Sequence, residues 1–353
     1  MREKMADRRR DPPAASAAAV GSTARRVRNR AFGGIPAVVL LALMAVLPLP
    51  ARAQEFPSRT VTIIAAGAAG GPTDTITRIV ADAMGKHLGQ SVVVESIGGS
   101  VVGPQRLAQS KPDGYTLMIN NIGMAASATL FRKLPYEVPG SFAPLGLVSD
   151  AAMTLITRPG YPAADLPGLM ASLKERGDAV NMATAGLGSA ANLCALLVQA
   201  SAGARATIIV FRGTAPAIAE LMAGRIDMLC DQATNTIPYI RDNRVQAWGV
   251  SSPQRLPGLP SVPTTAEAGF PAIALSTWHG LYAPAGTPEA IQERLSAAMQ
   301  AALRDDKLRQ RYADLLTDVP DAERQTIAFH RRYLAEEVAR WRPIIEAAGA
   351  YAD

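Results

Sequence analysis

Three segments of the sequence place glycine beside a hydroxyl or carboxyl where a helix is about to begin. They are Gly67-Ala68-Ala69-Gly70-Gly71-Pro72-Thr73-Asp74, Thr184-Ala185-Gly186-Leu187-Gly188-Ser189 and Phe211-Arg212-Gly213-Thr214-Ala215-Pro216. A helix N-terminus points unpaired N–H groups outward with a partial positive charge. Glycine lets another group approach that backbone without a Cβ in the way. The chemistry is anion binding, and three such loops can converge on one anion. Each loop also has a plainer reading as a tight turn, with Thr73, Asp74 and Ser189 as helix caps. Asp231 is harder to dismiss. It follows an apolar strand, and strand C-terminal ends face the cleft in open α/β sheets.

A catalytic set does not assemble from the sequence. His87, His279 and His330 lie far apart and show no metal-ligand spacing, and Cys194 and Cys230 form no Cys-x-x-Cys pair. The glycines at 67, 70 and 71 do not fit the dinucleotide fingerprint, no Lys-Ser/Thr pair makes a phosphate loop, and no nucleophile elbow occurs. The expectation is a binding protein with no catalytic residues, no metal and no cofactor.

The elements that must position these loops alternate. Strands are expected at 60–66, 91–95, 115–119, 179–183, 207–211 and 226–230. Helices are expected at 73–88, 104–110, 164–176, 190–202, 216–223, 287–303 and 323–347. On the first helix, Ile76, Ile79, Val80, Ala83 and His87 share one face. On the last, Ile327, Leu334, Val338, Trp341 and Ile345 form a stripe that should dock on the body. Strand–helix alternation implies parallel sheets covered by helices. Residues 252–270 read as a structured loop rich in Pro, Gly and Thr.

Residues 1–53 read as a leader. Arg25, Arg26, Arg28 and Arg30 precede an uncharged apolar run at 35–49, and Ala51-Arg52-Ala53 supplies a small-x-small cleavage pattern before Gln54. Fifteen residues span only about 22 Å as a helix, short of the roughly 30 Å hydrocarbon core. The chain carries 36 basic and 30 acidic residues, of which residues 1–53 hold 10 and 3, so the mature part has 26 and 27. The basic excess belongs to the leader, which argues against a nucleic-acid partner. The mature 300 residues suffice for two lobes with real cores. Cys194 and Cys230 read as buried free thiols, with pairing open in an oxidising compartment.

Taken together and in this order, the loops resemble the Bug family, the extracytoplasmic solute receptors of tripartite tricarboxylate transporters. The match runs along the whole mature length. It rests on Phe56-Pro57-Ser58-Arg59, Gly70-Gly71-Pro72-Thr73-Asp74, Lys111-Pro112-Asp113-Gly114-Tyr115, Leu134-Pro135-Tyr136, Gly186-Leu187-Gly188-Ser189, Gly213-Thr214-Ala215-Pro216-Ala217 and Pro263-Thr264-Thr265-Ala266-Glu267. The resemblance implies an α/β, two-lobed periplasmic binding protein fold, type II-like, with two mainly parallel sheets flanked by helices and a two-crossing hinge. Lobe 1 would hold residues 54–153 plus 279–353, and lobe 2 residues 154–278. It further implies that Gly70, Gly71, Thr73 and Asp74 hold one end of a small carboxylate, or of a related aromatic acid or amide. Gly186, Gly188, Ser189, Ala190, Gly213, Thr214, Ala215 and Asp231 would hold the other. The implied partners of this monomer are the membrane subunits of a tripartite transporter. A sensor protein is the alternative, and an exported enzyme acting on organic acids is a third. Departures from the family pattern stand at Ala66-Gly67, at Phe211-Arg212 and at His279, where an uncharged aromatic or polar residue is commoner.

Overall fold

The run Val61–Ala65 (β1) is apolar except for Thr62, and its other four residues are buried, as in a strand covered on both faces. The computed structural model describes residues 56–352; the leader expected over 1–53 lies outside them. After β1 the chain continues through helix α1 (Pro72–Leu88), β2 (Val92–Ser96), α2 (Val102–Ala108), β3 (Thr116–Asn121), α3 (Gly123–Leu130) and the long β4 (Phe142–Thr157). Next come α4 (Leu166–Arg176), β5 (Asn181–Thr184), α5 (Ala190–Ala202), β6 (Thr207–Val210), α6 (Thr214–Met222), β7 (Met228–Gln232), α7 (Ala233–Arg241) and β8 (Gln246–Val250). The chain closes with β9 (Ser276–Pro284), α8 (Glu289–Ala302), α9 (Asp306–Asp314), β10 (Thr317–Asp318) and α10 (Ile327–Ala348). No helix among the described residues is long and apolar enough to cross a membrane.

The sheet order is β2-β1-β3-β9-β4-β7-β5-β6, with β8 and β10 also pairing with β4. Its two flanks are parallel: β1 pairs with β2 and β3, and β5 with β6 and β7. The centre is antiparallel, because β9 pairs with β3 and β4, and β4 with β7. The fold is therefore α/β with a mixed sheet flanked by helices. The long strand β4 links its two parallel halves. It pairs with β9 as far as Ala152, opposite Ser276, and with β7 from Met153, opposite Gln232.

All sixteen residues of β4 are buried, including four polar ones, and each of those has a partner. Ser149 bonds His279 and Asp150 pairs with Arg324. Thr154 meets the Thr236 hydroxyl at 2.7 Å, and Thr157 accepts from Trp248 Nε1 at 2.8 Å. Register shifts at Pro144/Gly146 and Leu147/Ser149 break the simple alternation that would have exposed this strand to sequence reading.

The expected faces dock as amphipathic helices should. Ile76, Ile79, Val80 and Ala83 of α1 are buried; His87 instead is exposed, and Leu88 closes the face beside the left-handed Gly89 cap. In α10, Leu334, Trp341 and Ile345 pack into the main core with Trp278. Glu337 on the same stripe accepts from Trp278 Nε1 at 3.1 Å and Trp341 Nε1 at 3.3 Å, and meets Arg340 at 3.0 Å. Those partners compensate the burial of its charge.

The free-thiol reading of the cysteines is corrected. Cys194 and Cys230 are buried, as expected, but they form a disulfide with Cα atoms 6.0 Å apart. The bridge ties α5 to β7 across a sequence separation of 36. Loop-closure entropy for such a separation makes it worth about 4 kcal/mol. Burial of each thiol was legible in its apolar surroundings. Their juxtaposition depends on α5 lying against β7, which no local pattern reveals.

Candidate functional site

A cavity of about 660 Å³ opens where the loops after β1, β2, β3, β5 and β6 meet the end of β7. That volume suits a small organic ligand. The strand order explains the convergence, since these loops all leave the C-terminal ends of strands on either side of the sheet centre. Nine of the twelve expected residues line the wall: Gly71, Thr73, Gly186, Gly188, Ser189, Ala190, Gly213, Thr214 and Asp231. Gly70, Asp74 and Ala215 are not among the lining residues.

Their absence has a cause. Asp74 turns back into the first loop, where its Oδ2 accepts from Gly70 N–H at 2.8 Å and from Arg78 Nε at 3.1 Å. Its Oδ1 accepts from Ser96 at 2.6 Å. Gly70 N–H is thereby consumed. Burial raises the Asp74 pKa, but Arg78, Ser96 and the Gly70 amide outweigh it and hold the carboxyl below its ordinary value. Asp74 is not the N-cap of α1 either; Gly71 holds that position, with Pro72 at the first helical turn. The Ala215 side chain, exposed in α6, points elsewhere.

Helix N-termini ring the cavity: those of α1, α5 and α6 carry the three expected loops, and the first residues of α2 (Val102) and α3 (Gly123) line it as well. Ser189 caps α5: its hydroxyl accepts from Asn192 N–H at 3.1 Å and donates to the Gly186 carbonyl at 2.7 Å. Gly188 N–H is taken by Asn192 Oδ1 at 3.2 Å. The second loop therefore offers the first-turn amides of Ala190 and Ala191 rather than those of Gly188 and Ser189. In the third, Gly213 adopts φ +118°, which a side chain would resist, and so starts α6 with Thr214 buried against the cavity. Pro216 removes one amide that would otherwise need a partner. Only Arg212 and Asp231, of the lining residues, carry ionisable side chains.

Thr73 is held from behind. Its hydroxyl accepts from Asn121 Nδ2 at 3.3 Å and lies 3.2 Å from His279 Nε2, whose Nδ1 meets the Ser149 hydroxyl at 2.9 Å. Burial pushes the His279 pKa down to about 3. The imidazole is neutral, with one donor and one acceptor for its two hydroxyl partners. Asp231 is different. Burial pushes its pKa up to about 6, opposed by the Thr214 hydroxyl nearby and by Gln232 N–H, which donates to Oδ1 at 2.7 Å. Its Oδ2 has no hydrogen-bond partner.

The opposed walls touch. Ser100 donates to the Leu187 carbonyl, and Asn235 Nδ2 reaches the Gly70 carbonyl at 3.5 Å. A Cβ on Gly123 would collide with the Gly188 carbonyl oxygen, and one on Gly213 would sit 2.6 Å from Ala68 Cβ. Ser100, Asn121, Gly123 and Gln232 all line this cavity and were missed by sequence reading. The rule that singled out Asp231, a polar residue at a strand's C-terminal end, also picks out Asn121 at the end of β3.

A mixed sheet with helix N-termini gathered around a cavity is an arrangement able to hold an anionic solute. Comparison with known proteins is consistent and extensive. Residues 76–350 match the tripartite tricarboxylate transporter family receptor. A protein of Agrobacterium vitis from the TAR-I ttuE-ttuC' intergenic region is 38% identical over 315 residues, 88% of this chain and 91% of its own. The Bordetella pertussis protein BugT is 31% identical over 306 residues, 85% of this chain and 93% of its own. Among solved structures, the periplasmic binding protein BugD superposes with a TM-score of 0.80 at 34% identity, covering 84% of this chain and 100% of its own. MatC from Rhodopseudomonas palustris with bound malate gives 0.78 at 36% identity, covering 82% and 100%. The chain belongs to the Bug family of periplasmic solute-binding receptors, the tripartite tricarboxylate transporter type.

Proposed function

We propose that this protein captures a small carboxylate in the periplasm and delivers it to the membrane subunits of a tripartite transporter. The observation that carries the reading is the convergence of three helix N-termini on one cavity. Their free amides and partial positive charges favour an anion. The relatives agree in kind: MatC holds malate, and another R. palustris structure, 26% identical with a TM-score of 0.79, holds adipate. The carboxylate rests on the amides around Thr73 at one end. Those around Ala190 and Thr214 face it from the other, with Gly71, Gly186, Gly188, Ser189 and Gly213 shaping the backbone and Asp231 at the wall.

The proposed mechanism is closure of two lobes, residues 54–153 plus 279–353 and residues 154–278, with the hinge at the partner exchange in β4. A ligand touching both walls favours the state that joins them. The leader directs export and is then removed before Gln54. Native mass spectrometry of protein purified from the periplasm tests the reading. A copurifying carboxylate, with the chain starting at Gln54, supports it. A copurifying ligand without an acid group, or a substrate turned over on incubation, refutes it.

A further inference from the structure

One residue of the cavity wall is pinned by a distant part of the chain. Phe131 follows Leu130, the last residue of α3, in extended backbone with φ −102° and ψ 121°. Its half-buried ring lines the cavity. The ring stands against the second glycine loop, since a Cβ built on Gly188 would lie 3.3 Å from Phe131 Cε2. Among the described residues lining the cavity, aromatic side chains come only from Phe131 and Phe211.

Phe131 sits just past a helix C-terminus, where the intrahelical ladder has run out and does not fix its pose. The restraint comes from the segment after α10. Gly349 ends that helix in the left-handed region at φ +60°, and Ala350 N–H turns back to the Ile345 carbonyl at 3.2 Å. The chain then runs parallel to the end of α3. Ala352 N–H donates to the Leu130 carbonyl at 2.8 Å, and Arg132 N–H donates to the Ala352 carbonyl at 3.2 Å. These two bonds bracket Phe131, one on each side. Ala352 is buried, Ala350 packs against the main core, and the Arg132 guanidinium lies 4.9 Å from the centre of the Tyr351 ring.

Resting on the solute-binding reading above, we propose that Phe131 is a ligand-contacting residue of the cavity wall and that Ala352 is a positioning residue that holds it there. The bracket orders the Phe131 backbone before ligand arrives. Without it that ordering must accompany binding, and fixing the backbone of one residue is worth roughly five- to thirtyfold in affinity.

The test is a double-mutant cycle on the full chain, read by calorimetry. The probes are malate, adipate and benzoate, and the one that binds wild type most tightly is carried through. Ala352→Pro removes the N–H given to Leu130 and should weaken binding roughly five- to thirtyfold. Ala352→Ser keeps that N–H and should bind as wild type does. Phe131→Ala should itself weaken binding, and in its background Ala352→Pro should change the dissociation constant by less than about twofold. Melting curves without ligand confirm that each variant is folded. If Ala352→Pro does not fold, Ala352→Arg, which displaces the same segment by bulk, takes its place. A merely structural role for the segment would lower affinity by the same factor with or without Phe131, and that result overturns the proposal. Unchanged affinity in folded Ala352→Pro or folded Phe131→Ala overturns it too, while leaving the carboxylate reading standing. Failure of all three acids to bind wild type overturns the carboxylate reading itself, and the proposal with it.

Discussion

Gly123→Ala should separate folding from ligand capture. Gly123 opens α3 and its backbone lies outside the left-handed region, so alanine needs locally only a small shift of the Asn121 side chain, whose Oδ1 would sit 3.0 Å from the new Cβ. Alanine is favoured over glycine in a helix by up to about 1 kcal/mol, which helps the unliganded protein. In the structure, however, the added Cβ would collide with the Gly188 carbonyl oxygen on the opposite wall. A backbone oxygen cannot rotate aside as a side chain can, so the walls must part. Overpacking of this kind costs about 1–3 kcal/mol, charged only to the joined state. Binding that depends on closure should weaken roughly five- to a hundredfold. The melting temperature without ligand should stay level or rise, calorimetry should show the loss of affinity, and small-angle scattering at saturating ligand should report a larger radius of gyration than wild type. An unchanged dissociation constant in the folded variant would refute the reasoning, since capture would then not require these walls to meet.

Three further perturbations follow from the site and its supports. Replacing Cys194 and Cys230 by alanine should cost about 2–4 kcal/mol in denaturant unfolding, because the bridge constrains the unfolded chain between α5 and β7; equal midpoints would show that the bridge contributes nothing. Asp231 has its pKa raised to about 6, so its favourable contribution is present below the unfolded value and lost as pH rises through 6. Asp231→Asn should therefore stabilise the ligand-free protein increasingly from pH 4 to 7, by up to about 3 kcal/mol, and a difference that is flat with pH would contradict this. His279 and His330, both depressed to about 3 by burial, act in the opposite direction: stability present above pH 6.5 is lost as pH falls toward 3. Each contributes up to about 1.4 kcal/mol per pH unit in that window, so a folded His279→Gln variant should show a visibly shallower acid loss than wild type in urea titrations at pH 7, 6 and 5.

Much of this architecture is written locally. The α1 face of Ile76, Ile79 and Val80, the α5 span and the α10 stripe of Leu334, Trp341 and Ile345 all follow from helical spacing and stand where that spacing puts them. The three glycine loops were legible because strand, glycine and helix start occur in one short stretch. What escaped depends on long-range packing. β4 carries Pro144, Gly146 and buried polar residues, and only its distant partners His279, Arg324 and Trp248 make it a strand interior. The antiparallel centre, with β9 inserted between β3 and β4, likewise pairs segments far apart in sequence. At the site the glycines were visible, but the side chains that spend their amides were not. Asp74 takes Gly70 N–H and Asn192 takes Gly188 N–H, which shifts the available donors one or two residues into the helices.

The most direct measurement is a crystal structure of the protein with the carboxylate that copurifies with it. The predicted result places carboxylate oxygens, directly or through one ordered water, at the first-turn amides of α1, α5 and α6, near Thr73, Ala190 and Thr214. A ligand whose acid group is instead clamped by the Arg212 guanidinium, with those three helix ends left to solvent, would contradict the account.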